Sequence, residues 1–196
     1  VIVISGLFIT LSVLTIQRNN QWANPIVFYK NEVSLTPDKE RNWAELGKVY
    51  IKEKQIDKAL QAFGKALNLG KEGNTINALP TTFLNTYIAL LHAKQLKKAL
   101  HFESIMPVQG LTIHDRSVFY FMKANRQTSS KEYTQAIKSL ELSTQLNPGN
   151  LDAKANLAAL YIETGNKQAG LVLLNQVLMT NPDHKMALMY KKKYQQ

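Results

Sequence analysis

Apolar residues recur along most of the chain at the spacing of amphipathic helices, without the strict alternation of half-buried strands. The helical stripes come in pairs that are separated by short polar breaks. In the clearest pair, within residues 40–73, large and small residues share one face of each helix: Trp43, Leu46, Gly47 and Tyr50 on the first, and Ala59, Phe63 and Ala66 on the second. This pattern predicts two helices that cross closely at Gly47 and Ala59, with the aromatic side chains filling the core.

The same helix pair is predicted again near the end of the chain. Residues 151–184 repeat the pattern with Leu157, Ala158 and Tyr161 in the first helix. Pro182 closes this copy as Pro148 closes the one before it, which gives a repeat length of about 34 residues. A repeat of this length predicts stacked helix pairs, because one amphipathic pair cannot bury its apolar face alone.

Two weaker copies lie between the clear ones. Ala99 repeats the position of Ala59, and Ala136 repeats that of Ala99, but both spacings are longer than the repeat length. The excess predicts insertions of six and three residues, the first of them near residues 71–79.

The predicted organisation has four parts. Residues 1–17 form the end of a membrane helix, residues 18–39 form a linker with the second helix of a partial leading unit, residues 40–184 form four repeats, and residues 185–196 form a capping helix. The cap is expected to cover the last apolar face.

The repeat resembles the tetratricopeptide repeat, a helix–turn–helix unit of about 34 residues. The resemblance rests on the seven positions quoted for residues 40–73; the usual closing proline is Lys71 here. It implies an all-α fold, an α–α superhelix in which the first helix of each pair lines the concave side. A compact helical bundle without a groove is the alternative fold.

Residues 1–16 are apolar and uncharged, and Arg18 and Trp22 follow them. Sixteen residues make a helix of ~24 Å, short of the ~20 residues that a full span needs. Because the chain does not begin with Met, we expect it to start inside the span. A tryptophan beside an arginine is typical of a membrane exit. A buried core helix is the alternative.

Composition limits the chemistry. The 196 residues include 24 Lys and Arg, 14 Asp and Glu and no cysteine, for a net charge of +10. A disulfide scaffold, a thiolate zinc site and a cysteine nucleophile are thereby excluded. The four histidines form no metal-ligand pattern, and there is no phosphate-binding loop or nucleophile elbow. We therefore expect no enzyme activity, cofactor or metal site within the chain.

Asparagines mark the candidate binding surface. Asn156 stands directly before the small-residue crossing of its repeat, and Asn85 has the equivalent place in the second repeat. In peptide-binding members of the resembled family, including the O-linked N-acetylglucosamine transferases, an asparagine ladder there grips the peptide backbone. A carboxamide suits this role because it both donates and accepts hydrogen bonds. Glu45 and Met122 interrupt the ladder, although Asn125 lies one turn along. The alternative is that these asparagines are ordinary exposed residues with no role in binding.

Lysines add a charge preference to the predicted groove. Lys48 and Lys52 follow Glu45 on the same helix, which favours an acidic peptide. Nucleic acid is not expected as a partner, because the charge is spread over many helices and the aromatic residues have core positions. The basic run at residues 191–193 is expected to be a solvated end.

The junction after the apolar segment shows a second resemblance. Residues 14–50, with Arg18, Trp22 and the run FYKNEVSLTPDKERNWAELGKVY, are similar to the place where the last membrane helix of polytopic, dolichol-phosphate-sugar-type glycosyltransferases leads into tetratricopeptide repeats. The transmembrane-and-tetratricopeptide O-mannosyltransferases have this layout. The resemblance implies that catalytic carboxylates lie outside this chain and that the repeats are lumenal or periplasmic.

Three functions are consistent with these patterns. The first is a membrane-tethered module that binds a peptide or protein in its concave groove. The second is the acceptor-docking C-terminal part of a polytopic glycosyltransferase. The third is a single-pass assembly factor for secretion, pili or cytochromes.

Overall fold

The computed structural model describes residues 11–16, 23–72, 75–76 and 78–194. Its regular secondary structure is helical apart from a short antiparallel hairpin of β1 (Lys71–Glu72) and β2 (Thr75–Ile76), which confirms the predicted all-α class. The helices are α1 Pro25–Leu35, α2 Glu40–Lys52, α3 Ile56–Leu69, α4 Pro80–His92, α5 Leu96–Ser104, α6 Ile113–Ser129, α7 Tyr133–Leu146, α8 Leu151–Glu163, α9 Lys167–Thr180 and α10 Lys185–Tyr194.

The predicted membrane helix falls mostly outside the described residues. Residues 11–16 are helical and exposed, whereas residues 1–10 and 17–22 are not described. Within the described ranges, every helix is too short or too polar to cross a membrane. The division into a membrane helix end, linker, repeats and cap stays a prediction.

The chain forms two compact units, Val1–Met106 and Pro107–Gln196. We call them unit 1, which contains α1 to α5, and unit 2, which contains α6 to α10. In unit 1, α2 packs against α3 and α4 packs against α5; in unit 2, α6 packs against α7 and α8 packs against α9. Helix α10 contacts both α8 and α9.

The turn inside each helix pair has the same backbone geometry. A left-handed residue stands there in every pair: Lys54, Lys94, Lys131 and Gly165, with φ of 57°, 56°, 61° and 98°. The N–H of the next residue bonds a carbonyl five positions back, as Gln55 does to Tyr50 at 2.8 Å, which is a Schellman helix end. Each left-handed residue comes five positions before the small residue of its second helix, so the turns keep the spacing of the alanines repeated in the sequence.

One core cluster of unit 1 lies between α1, α2, α3 and α4. Phe63 is fully buried there, with Leu46, Tyr50 and Val33 around it. A Cβ at Gly47 would lie 2.5 Å from the Phe63 ring, so this glycine allows α2 and α3 to approach. The prediction of a close crossing at Gly47 is therefore right, but the atoms nearest to such a Cβ belong to Phe63 and not to Ala59.

The two predicted insertions fall in irregular segments. The hairpin of β1 and β2 follows α3, within the range predicted for the first insertion. Near the second insertion, α5 is short and a 3₁₀ turn, Val108–Gly110, precedes α6.

The Glu40 carboxylate fixes the start of α4 by accepting hydrogen bonds from the Leu79 N–H and the Thr82 hydroxyl, both at 2.8 Å.

Candidate functional site

A row of hydrogen-bonded polar side chains joins three helices of unit 2. Asn156, which is partly buried on α8, donates from its Nδ2 to the Oδ1 of Asn125 on α6 at 3.1 Å. The Tyr190 hydroxyl on α10 donates to the Asn156 Oδ1 at 3.2 Å. We call Asn125, Asn156 and Tyr190 the amide row.

The amide row lies in a surface depression of about 480 Å³. Apolar side chains line it beside the row, among them Phe121 from α6 and Met186 from α10, and hydroxyls are supplied by Thr128 and Ser129. The depression is therefore a mixed surface, in which amide groups lie next to apolar ones. This is the usual composition of a ligand site.

Glu163, the last residue of α8, also lines the depression. Its carboxylate accepts hydrogen bonds from the Tyr194 hydroxyl and from the Lys193 ammonium, the latter at 3.0 Å. These two bonds lower the pKa of Glu163, and the Tyr194 bond has the larger effect. The pKa of Tyr190 is raised, by burial first and by the Glu163 charge second.

The structure brings two of the predicted binding residues together, Asn125 and Asn156. Asn125 makes the contact, one turn along from the equivalent ladder position, which Met122 occupies. Both polar atoms of the Asn156 side chain have partners, and these belong to the preceding repeat and to the capping helix. Glu163 is exposed and forms an ion pair with Lys193.

Tyr190 was missed by the sequence analysis, although a signal was present. It follows Asn156 by one repeat length, so it has the ladder position of the capping helix. The sequence pattern predicts for that helix a cover of the last apolar face and a solvated basic end, and no binding residue.

The other predicted residues lie in unit 1. Asn85, on α4, is partly buried, and its side chain makes no hydrogen bond with the described residues. Lys48 is bound to Glu45 at 2.9 Å, which neutralises part of the positive charge expected there, whereas Lys52 is exposed. A groove shared by Asn85 and Asn156 stays a prediction.

Unit 1 has its own depression, of about 600 Å³, between α2 and α3. Trp43 and Tyr50 contribute aromatic surface, and the charged side chains among its described lining residues are Lys58 and Lys65. The Lys58 ammonium lies 5.8 Å from the centre of the Tyr50 ring. The two depressions thus carry charges of opposite sign.

Comparison with known proteins identifies the repeat. Two tetratricopeptide-repeat family models match the chain, one over residues 40–69 and one over residues 128–192. The chain therefore contains tetratricopeptide repeats, as the sequence pattern indicated. No curated protein matches the chain, and the resemblance of the junction to membrane glycosyltransferases finds no support.

Solved structures with the same fold cover nearly the whole chain. The crystal structure of YrrB, described as a TPR protein with an unusual peptide-binding site, is 24% identical; the match covers 91% of this chain and 87% of YrrB with a TM-score of 0.64. MamA residues 41 to the end, from Desulfovibrio magneticus RS-1, is 14% identical, with coverage of 92% and 96% and a TM-score of 0.65. The C-terminal part of a TPR repeat-containing protein from Cytophaga hutchinsonii is 14% identical, with coverage of 90% and 66% and a TM-score of 0.67. These identities show the tetratricopeptide-repeat fold alone.

Proposed function

We propose that this tetratricopeptide-repeat protein is a non-catalytic interaction module that docks an extended segment of a partner protein on the amide row of unit 2. The observation that carries the proposal is the alignment of Asn125, Asn156 and Tyr190 across three helices. A peptide backbone presents N–H and C=O groups in every residue, and a row of carboxamides can pair with both kinds of group.

The row retains hydrogen-bonding capacity for a ligand. Each carboxamide offers two donor hydrogens and an oxygen with two lone pairs. The Asn125 Nδ2 donates no hydrogen bond to the described residues, and the Asn156 Nδ2 uses one of its two hydrogens. A peptide carbonyl can therefore bind at either nitrogen while the row itself stays intact.

The apolar walls give the docked segment a second source of affinity. Phe121 and Met186 flank the row, and both are only partly buried in the free protein. A ligand side chain that covers them gains ~25 cal/mol for each Å² of apolar surface removed from water. The solved structure of YrrB is described as having a peptide-binding site, which agrees with a binding role for the fold.

Two other functions came from the sequence: the acceptor-docking part of a polytopic glycosyltransferase, and a single-pass assembly factor. Neither finds support in the family models or the solved structures. A membrane tether through residues 1–16 and an extracytoplasmic position of the repeats stay predictions.

The test is capture of an array of short peptides of random sequence by the full chain. The double variant Asn125→Ala/Asn156→Ala should lose most of the captured signal, because each lost hydrogen bond costs ~0.5–1.5 kcal/mol. The matched control is Asn175→Ala, on the exposed side of α9. Undiminished capture by a folded double variant, or capture by neither protein, would refute docking on the amide row.

A further inference from the structure

We infer that the segment bound by the amide row carries a lysine or arginine, and that its cationic group binds the Glu163 carboxylate in the depression. This inference rests on the proposed function and names the chemistry of its ligand. It differs from the sequence-based expectation of an acidic peptide, which depended on Lys48 and Lys52 in unit 1.

The charged side chain in the depression is acidic, although the protein is basic overall, and its ion pair with Lys193 neutralises part of its charge. The chain has a net charge of +10, yet Glu163 is the charged side chain among the described residues that line the unit 2 depression. An acidic ligand would therefore meet a carboxylate beside the amide row. A negative charge on the ligand would be repelled by the Glu163 carboxylate, whereas a positive charge would be attracted to it.

One Glu163 oxygen remains available to a ligand. Lys193 and Tyr194 both bind Oε1, and Oε2 accepts no hydrogen bond from the described residues. A carboxylate oxygen has two lone pairs, so Oε2 can accept from an ammonium or guanidinium group. The hydrogen bonds that lower the pKa of Glu163 keep the carboxylate ionised at neutral pH.

The ion pair with Lys193 shows that an ammonium group fits beside the Glu163 carboxylate. A cationic group of the ligand can take the place of Lys193. The Lys193 ammonium lies 3.0 Å from the Glu163 Oε1, but 58% of its side chain is exposed. Ion pairs between exposed side chains are weak, because water and salt screen them. A ligand cation that is also anchored by the amide row can therefore share Glu163 with Lys193 or displace Lys193 from it.

The spacing along α8 suits a long basic side chain. Glu163 follows Asn156 by seven residues, which is two helical turns, or about 10 Å, along the same face. The buried side chains of Ala159 and Leu160 line the depression between them. The methylene stem of a lysine or arginine can lie on this apolar floor while its charged end reaches Glu163.

The experiment measures binding of three sets of short synthetic peptides to the full chain by fluorescence anisotropy. The sets share their uncharged residues and carry lysines, no charges or glutamates. The parent should bind the lysine set roughly threefold or more tightly than the uncharged set, and the glutamate set most weakly. Glu163→Gln should abolish the preference for lysine, and Lys193→Met should strengthen it.

The control variant is Glu141→Gln. Glu141 is also an exposed carboxylate bound to a tyrosine hydroxyl, that of Tyr161 at 2.7 Å, but it does not line the depression. It should keep the preference of the parent. Circular dichroism melting checks that each variant is folded, and Lys193→Met gives an independent test if Glu163→Gln does not fold.

The outcomes separate the two proposals. If the parent binds the peptides but shows no preference for lysine, or prefers glutamate, the inference fails and the proposed docking function survives. The inference fails in the same way if Glu163→Gln keeps the lysine preference, or if Lys193→Met leaves it unchanged. If the parent binds none of the three sets, the docking function itself fails.

Discussion

The two units have the same excess of basic side chains. Unit 1 has 13 basic and 8 acidic residues, and unit 2 has 11 basic and 6 acidic residues. Their depressions nevertheless differ in sign. Lys58 and Lys65 line the one in unit 1, and Glu163 lines the one in unit 2. The net charge of this chain therefore does not predict the charges that line its depressions, because the field there depends on the few side chains around each one.

The asparagines of the two units differ in a second way. Asn156 in unit 2 is held by Asn125 and Tyr190, whereas the Asn85 side chain in unit 1 makes no hydrogen bond with the described residues. A residue with the same repeat position thus belongs to a network in one unit, whereas in the other it makes no side-chain hydrogen bond within the described part of the chain. The amide row is therefore a property of unit 2.

The largest expected effect tests what the two units share, which is close packing of the helices at a glycine. A Cβ at Gly170 would lie 2.5 Å from the Ala158 carbonyl oxygen, and one at Gly47 would lie 2.5 Å from the Phe63 ring. Gly170→Leu and Gly47→Leu should each cost ~1–3 kcal/mol through overpacking. Gly170→Leu should cost more, because a backbone atom cannot move aside as a side chain can.

Chemical denaturation followed by circular dichroism measures these changes. The control is Gly64→Leu, because a Cβ at Gly64 meets nothing within 4 Å. This variant should be as stable as the parent or more so, since leucine is a better helix former than glycine. Equal stability of all three variants would show that the repeat register is wrong.

The next prediction compares the stability cost of removing the equivalent asparagine in each unit. Asn156→Ala removes two hydrogen bonds, and it leaves the partly buried Asn125 and Tyr190 without these partners. The free energy of unfolding should fall by ~1–3 kcal/mol. Asn85→Ala should change it by less than ~0.5 kcal/mol, which is usual for a substitution that breaks no such contact. Equal losses in the two variants, measured by urea denaturation, would remove the contrast between the two asparagines.

A smaller effect concerns the stability of unit 2 at alkaline pH. Burial is the main cause that raises the pKa of Tyr161 to about 12, and the hydrogen bond to Glu141 acts in the same direction. Because the folded pKa exceeds the ordinary value of 10.0, this tyrosine contributes stability below pH 10.0 that is lost as the pH rises toward about 12.

Absorbance at alkaline pH measures this ionisation. Because burial also raises the pKa of Tyr190 and Tyr194, the parent should show one more late-ionising tyrosine than Tyr161→Phe. The variant should also lose less stability over the same pH range. The Glu141→Gln variant provides the control, since it removes the charge that opposes ionisation and should lower the pKa of Tyr161. An equal number of late-ionising tyrosines in the parent and in Tyr161→Phe would contradict the raised pKa of Tyr161.

The smallest effect is expected from removal of the apolar N-terminal residues. If residues 1–16 are a membrane segment, a chain that starts at Gln21 should be soluble and should keep the helical content and unfolding midpoint of the helix pairs. Circular dichroism and sedimentation measure both properties. Unfolding of the shortened chain would show that the segment is part of the core of unit 1.

The fold could be predicted from sequence because the packing of the repeat depends on local size differences. Gly47 and Phe63 mark the close crossing of α2 and α3. The repeated alanines Ala59, Ala99 and Ala136 show where the second helix of the first three pairs lies. The third repeat gave a weak signal because its core is partly polar. Gln127 has the position of Tyr50 and accepts a hydrogen bond from Ser139, and Ser117 bonds Ser143.

The candidate site was predicted only in part. Asn125 and Asn156 were found because their places relative to the repeat are readable from sequence. Tyr190 was missed because a tyrosine breaks the residue-type pattern of the ladder. The charge of the depression could not be predicted, since it depends on which exposed side chains meet at the surface, as Glu163 and Lys193 do.

The most direct measurement is a titration of the labelled protein by nuclear magnetic resonance, with the tightest peptide of the lysine set as ligand. The side-chain amide signals of Asn125 and Asn156 should move together and saturate, because ligand groups bind at their nitrogens and oxygens. The signals of Asn175, on the exposed side of α9, should stay in place. Saturable binding that moves the Asn85 signal and leaves those of Asn125 and Asn156 unchanged would contradict the account, because it would place the ligand on unit 1.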